Sequence, residues 1–308
     1  MALNAAVLGA GFIGRNFIRF ALQQGYCLNV LDHKECPDEF AGRLTWVKGE
    51  FDNKETLKKL VQGTDVIFHF IANTVPGDAV DESSELISNV VQTLQLLKLC
   101  VQEKTQRIIF ISSASVYGVQ TSLPIKESAP TDPISSHGIQ KLTIEKYLQL
   151  YKYQHGLDCK IVRLSNPYGP GQSIHGRQGF IAIATGKILS QDAITIRGDG
   201  SIIRDFVYID DVAETLHLLA TSSTEPIIFN VGSGIGHALN DVIKLIERVI
   251  GRKLLINYID NRFVDIPASV LDRSREKNML GKTFVVSLEE GLRKTFTFHG
   301  IKTVPEYG

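Results

Sequence analysis

Ala5-Ala6-Val7-Leu8-Gly9-Ala10-Gly11-Phe12-Ile13-Gly14 decides the fold. Four apolar residues suited to a buried strand run into glycines spaced G-x-G-x-x-G, and Phe17, Ile18, Ala21 and Leu22 then share one face of a helical pattern. Gly9 permits a tight turn, Gly11 lets the backbone approach a pyrophosphate, and Gly14 allows close helix–strand packing. Phe12 and Ile13 open the helix, where unpaired N–H groups and the positive end of the dipole favour phosphate. Asp32 closes the next apolar run, 18 residues beyond Gly14. A carboxylate there accepts from both ribose hydroxyls and repels a 2′-phosphate, so the expected cofactor is NAD rather than NADP.

Outward from this turn, short apolar runs alternate with helical patterns: residues 27–31, a helix near 54–62, 66–71, a helix over 85–101, and 107–111. Residues 66–71 and 108–111 are apolar on both faces, as central parallel strands are. The pattern predicts an α/β chain, a Rossmann doubly wound parallel sheet. Further strand-like runs fall at 160–164 and 227–231, while after Asn166 Gly-rich turns and shorter elements indicate a smaller α/β C-terminal lobe.

The 308 residues carry 33 Lys+Arg against 33 Asp+Glu, a formal net charge of +0, which gives no electrostatic case for nucleic acid or an anionic membrane. At 44% hydrophobic and 21% charged the chain can bury a sizeable core without staples. Cys27, Cys36, Cys100 and Cys159 have no C-x-x-C spacing, residues 5–12 are too short for an export signal, and no apolar run is long enough to span a membrane. The expectation is a cytoplasmic protein with reduced thiols. Dispersed histidines and the lack of H-E-x-x-H leave no expected metal site.

Ser112-Ser113-Ala114-Ser115-Val116-Tyr117-Gly118, Ser136-His137-Gly138-Ile139-Gln140-Lys141 and residues 163–172 bring a family into view, and residues 198–212, 230–234 and 287–292 extend it. Over almost its whole length the chain resembles the extended short-chain dehydrogenases/reductases of the nucleotide-sugar epimerase/dehydratase group. The resemblance implies residues 1–165 as the NAD-binding domain, with returning segments near 205–220 and 227–233, and residues 166–308 as mainly the nucleotide-sugar lobe. In such enzymes a Ser/Thr binds the reacting sugar hydroxyl, a Tyr exchanges its proton, and a Lys four residues on holds the nicotinamide ribose. These positions map to Ser113, His137 and Lys141, with His137 in place of the Tyr. By the same resemblance Glu50 and Phe51 contact adenine, and Ala72 and Asn89 line the path to the nicotinamide. Asn166 and Arg204 hold the sugar-nucleotide phosphates, and Arg262 with Asp265 holds a phosphate and the nucleotide ribose.

A phenol with pKa about 10 needs a nearby cation to act as a base, whereas imidazole at about 6.5 does not. The imidazole nitrogen also lies roughly 2 Å nearer the backbone than a tyrosine oxygen, so a water or a shifted substrate must bridge the difference. A working acid/base, a weakened redox site and a changed reaction all stand at this point. Ala114 and Ser115 occupy the positions where 4,6-dehydratases carry an acidic pair, which demotes dehydration. The expected activity is NAD-dependent 4-epimerization of a nucleoside-diphosphate hexose in polysaccharide or sugar-nucleotide supply. The alternatives are 4-keto-sugar reduction or silent binding of NAD and nucleotide sugar. The resemblance, with the two long helical stretches near 85–101 and 140–153, also implies a homodimer through a four-helix bundle.

Overall fold

The computed structural model describes residues 2–72, 81–176, 178–225, 227–260, 266–283 and 285–305. The chain opens with β1 (Asn4–Leu8), α1 (Phe12–Gln23), β2 (Cys27–Asp32), β3 (Thr45–Lys48), α2 (Lys54–Val61) and β4 (Val66–His69). Then come α3 (Glu82–Leu86), α4 (Gln92–Gln102), β5 (Arg107–Ser113), α5 (Ser136–His155) and β6 (Asp158–Leu164). They are followed by β7 (Asn166–Tyr168), α6 (Phe180–Ser190), β8 (Ile194–Arg197), β9 (Ile203–Tyr208), α7 (Ile209–Thr221) and β10 (Ile228–Val231). The chain continues through β11 (Gly236–Ala238), α8 (Leu239–Ile250), β12 (Ile256–Ile259), β13 (Ala268–Ser269), α9 (Ser274–Leu280) and α10 (Leu288–Phe298).

The seven-stranded sheet has the order β10-β6-β5-β4-β1-β2-β3. Every pair from β3 across to β5 is parallel, with Leu8 opposite Leu31 on one side and His69 on the other. The doubly wound sheet expected from the alternation is therefore present. Ala5, Ala6, Val7 and Leu8 of β1 and Ile67 and Phe68 of β4 are all 0% exposed, which is why these strands read as unbroken apolar runs. Leu57 and Leu60 of α2, Leu96 and Leu97 of α4 and Ile144 and Leu148 of α5 fill one core cluster with Leu8, Ile67, Ile108 and Phe110.

Two compact units divide the chain: residues 1–118, 130–163 and 213–229 form the first, and 119–129, 164–212 and 230–308 the second. In the second, β9 pairs antiparallel with β11 and parallel with β13 and β7, and β12 pairs parallel with β8. Among the described residues no helix is long and apolar enough to cross a membrane.

Two helices differ from the sequence reading. In place of one helix over 85–101, α3 and α4 are joined by a π-helical turn, Ile87–Val91, that buries Asn89 and Val90. The extra residue of such a turn does not show in hydrophobic periodicity. Helix α5 starts at Ser136, ahead of the 140–153 stretch that the sequence marks, because the Ser135 hydroxyl accepts from the Gly138 N–H at 3.1 Å and caps it.

The glycine turn shows why its spacing matters. Gly9 has φ +94°, a left-handed value, and a Cβ on Gly14 would fall 2.1 Å from the Gly9 carbonyl oxygen, whereas one on Gly11 would meet nothing within 4 Å. Gly14→Ala is therefore expected to lower the unfolding free energy by about 1–3 kcal/mol or more, with Gly11→Ala close to wild type, in urea titration. Equal stability of the two variants would contradict this packing.

Candidate functional site

In the first unit, the loops after β1, β2, β3 and β4 surround one cavity. Gly9, Ala10, Gly11, Asp32, His33, Lys34, Gly49, Glu50, Phe51 and Phe70 to Ala72 line it. Asp32 is 8% exposed, and its two carboxylate oxygens accept from the Ala10 N–H at 2.7 Å and the Lys34 N–H at 2.9 Å. The same carboxylate that is expected to read a ribose thus also ties the glycine turn to the end of β2. Phe12 and Ile13 form the first turn of α1 and are not among the lining residues. That turn has no acidic residue and no side-chain cap, which leaves its N–H groups for an anion. Together with the open space at Gly11, this fits a dinucleotide pyrophosphate.

Of the residues expected here, Gly9, Gly11, Asp32, Glu50, Phe51 and Ala72 share this cavity, with Gly14 packed under Gly9. Asn89 does not line it: 6% exposed, it donates from Nδ2 to Gln140 Oε1 at 2.8 Å, binding the π-helical turn to α5.

Ser113 ends β5 and caps the 3-10 turn Ala114–Tyr117, its Oγ accepting from the Ser115 N–H at 3.1 Å and the Ser115 hydroxyl at 2.9 Å. Both lone pairs are engaged, so the remaining capacity of this hydroxyl is to donate. His137 is the second residue of α5 and half-buried, one turn before Lys141. Gly138, next to it, explains the approach of α5 to the Ser113 turn. A Cβ there would lie 2.8 Å from both the Ser115 carbonyl oxygen and Pro133 Cβ.

Lys141 is 7% exposed, donates from Nζ to the Ile111 carbonyl at 2.7 Å, and holds Nζ 4.6 Å from the centroid of the Phe110 ring. Burial pulls its ammonium down to about 8, against the opposing charge of Glu145. His69, at the end of β4, is pushed down to about 3, by burial first and then by Lys141. Thr93 Oγ donates to the Asn89 carbonyl and meets His69 Nε2 at 2.9 Å, which assigns the His69 proton to Nε2.

Tyr117 and Tyr168, the tyrosines of the Ser112–Gly118 and 163–172 stretches, are both poorly placed to act as bases. Tyr117 is 0% exposed beneath the Arg163 guanidinium, 4.7 Å away, so it is core. Tyr168 does line a pocket, but its hydroxyl donates to the Leu288 carbonyl at 3.4 Å and burial raises it far above the ordinary phenol value.

That pocket belongs to the second unit, where Asn166, Tyr168, Phe180, Ile202, Arg204, Phe206 and Leu239 line it. Asn166 Nδ2 donates to the Asp205 carbonyl at 3.0 Å, and Arg204 Nη1 donates to the carbonyls of Ile203 at 2.9 Å and Ile266 at 2.7 Å. The structure therefore brings these two expected residues together, while Arg262 and Asp265 lie outside the described residues. Sequence reasoning missed Asp205. Its carboxylate accepts from the Ser233 N–H and hydroxyl at 2.7 Å, the Gly234 N–H at 3.2 Å and the Leu271 N–H at 3.1 Å, which fixes β9 between its neighbours. Burial raises this carboxyl, and the donated hydrogen bonds oppose that.

Residues 5–232 match the NAD dependent epimerase/dehydratase family. The fold superposes on UDP-glucose 4-epimerase of Thermotoga maritima, solved with UDP-glucose, at TM-score 0.91 and 30% identity, covering 97% of this chain and 99% of that one. UDP-glucose 4-epimerase of Brucella ovis in complex with NAD gives TM-score 0.88 and 26% identity over 98% and 100%. A reductase is also similar: dTDP-4-dehydro-6-deoxyglucose reductase of Escherichia coli is 28% identical over 93% of this chain and 94% of its own length. The cofactor is NAD. With the Asp32 carboxylate in the lining of this cavity, calorimetry should find NAD(H) preferred to NADP(H) by roughly tenfold or more, about 1.4 kcal/mol. Equal or tighter NADP binding would exclude that role for Asp32.

Proposed function

Since the chain belongs to the NAD-dependent epimerase/dehydratase family, we propose that it is a 4-epimerase of a nucleoside-diphosphate hexose with His137 in the acid/base position. The observation that carries this reading is the state of Ser113. Its hydroxyl accepts twice from Ser115 and has its own proton left to give, at the end of the strand that α5 approaches through Gly138. A donor of this kind stabilises a sugar oxygen that alternates between hydroxyl and carbonyl. Ala114 and Ser115 offer no carboxylic acid to expel a C6 hydroxyl, which favours epimerization over dehydration.

NAD supplies a hydride acceptor and donor when bound. Gly9, Gly11 and Gly14 would shape its phosphate turn, with Phe12 and Ile13 at the helix start; Asp32, Glu50 and Phe51 would hold its adenosine half, and Ala72 would line the path to the nicotinamide. Asn89 acts at one remove, by fixing Gln140 beside Lys141. His137 takes the proton of the C4 hydroxyl as that carbon becomes a carbonyl, and returns it when the carbonyl is reduced from the other face. Lys141 lies one helical turn beyond His137 on α5. Asn166 and Arg204 hold the sugar-nucleotide phosphates in the second unit. Arg262 and Asp265 are assigned to the same nucleotide on family resemblance. Ile139 at 52%, Leu150 at 40% and Tyr153 at 90% exposure on α5, with Ile87 at 54% on the π-helical turn, support a homodimer through these helices.

Incubation with a panel of nucleotide sugars, read by NMR, tests the reaction. Inversion at C4 without net cofactor change is expected. Consumption of added NADH would assign reductase activity, and binding without turnover would make the chain a silent binder. Arg204→Ala should weaken nucleotide-sugar binding by about 2–4 kcal/mol and leave NAD affinity unchanged. An equal loss of both would mean that Arg204 is structural. His137→Phe should lower turnover about 10²–10⁴-fold with NAD still bound. A large gain in His137→Tyr over wild type would show instead that histidine impairs a site poised for tyrosine.

A further inference from the structure

Glu145 is 0% exposed and sits one turn beyond Lys141 on α5. The Ser112 hydroxyl donates to its Oε1 at 2.5 Å. From β6, Arg163 donates through Nε to both carboxylate oxygens at 3.1 and 3.2 Å and through Nη2 to Oε2 at 2.6 Å. The Cζ of that guanidinium also lies over the Tyr117 ring, 4.7 Å from its centroid. Ser112 immediately precedes Ser113, and Tyr117 closes the turn that Ser113 caps. One carboxylate therefore grips both ends of the Ser113 turn and the helix that carries His137 and Lys141.

We propose that Glu145 is a positioning residue that fixes Ser113 against Lys141 and His137 through Ser112 and through Arg163 to Tyr117, without touching the reacting atoms. The inference rests on the 4-epimerase reading for the chemistry it serves. Charge supports the geometry. The titratable groups around Lys141 are His69 on β4, His137 and Glu145 on α5, and Arg163 on β6 beyond Glu145. His69 stays neutral, and Glu145 opposes the loss of the Lys141 proton that burial favours. Removing the carboxylate takes away that support, which pushes Lys141 toward its neutral form at lower pH.

Two variants separate position from charge in the full chain. Glu145→Gln keeps an acceptor for Ser112 but loses the charge. In ¹³Cε-lysine-labelled protein the Lys141 resonance, assigned with Lys141→Arg, should titrate about one pH unit or more below wild type, and the alkaline limb of turnover should move with it. Glu145→Asp keeps the charge but shortens the reach. Its Lys141 midpoint should stay near wild type, while kcat falls by up to about 10²-fold with little change in NAD affinity. A lowered melting temperature in Glu145→Gln with the midpoint and the limb unmoved would overturn the proposal, as would wild-type kcat in Glu145→Asp. If Glu145→Gln does not fold, the Asp variant decides by its kcat. If the wild type turns over no nucleotide sugar, the epimerase reading falls, and the Lys141 titration still decides the place of Glu145.

Discussion

The reversal of strand order at β1 is the constraint on which the site in the first unit depends. With β2 and β3 on one side of β1 and β4 and β5 on the other, the loops leaving β1 and β4 turn to opposite faces and open a crevice at the strand ends. The residues around the cavity follow from that alone: Gly9 to Gly11 after β1, Asp32 at the end of β2 with His33 and Lys34 after it, Gly49 to Phe51 after β3 and Phe70 to Ala72 after β4. Ser113 sits at the same end of β5. Parallel strands bring all these carboxyl-terminal ends to one edge, and buried apolar side chains hold the edge in register. A Cβ on Gly9 would come within 3.0 Å of Ile71, so even the separation of the two diverging loops is set by the missing side chain.

Burying Glu145 and Arg163 costs several kcal/mol per ion before their attraction is counted. The pair persists because the carboxylate also accepts from Ser112 and the guanidinium also lies on the Tyr117 ring, so few of their hydrogen-bonding positions face apolar surroundings. Such a pair is weak support for stability as such, since a well-packed apolar replacement is often as stable. What it contributes is direction. The hydrogen bonds from Ser112 and Arg163 and the ring contact fix an orientation that packed leucines would leave free.

The fold was legible because its determinants are local. A strand, a glycine turn and a helix are contiguous over residues 4–23, and the apolar runs of β4 and β5 are unbroken. Asp32 was singled out by its spacing from the glycines, and Ser113, His137 and Lys141 by the family resemblance of short contiguous stretches. Glu145 and Arg163 were not, since Glu145 lies in the long pattern of α5, where a charge ordinarily marks a solvated face, and Arg163 hides in a run read as a plain strand. Their meaning is a contact across 18 residues, and the link to Ser112 spans 33. Asp205 was passed over likewise, its donors lying 28, 29 and 66 residues away. Asn89 was expected on the path to the nicotinamide, but it sits in the π-helical turn, where its amide reaches Gln140 and does not line the cavity.

Histidine at position 137 leaves a gap of roughly 2 Å where a phenol would reach, and the backbone is not able to close it. Gly138 already brings α5 so near the Ser113 turn that a single added carbon would sit 2.8 Å from the Ser115 carbonyl. Moving the helix closer would drive its own backbone into that turn, and the Glu145–Arg163 pair holds it from below. If His137 carries the proton as proposed, the missing distance has to be met on the substrate side, by a relay water or by a sugar seated deeper. On that reading the histidine asks for a change in what fills the site and not for a change in the scaffold.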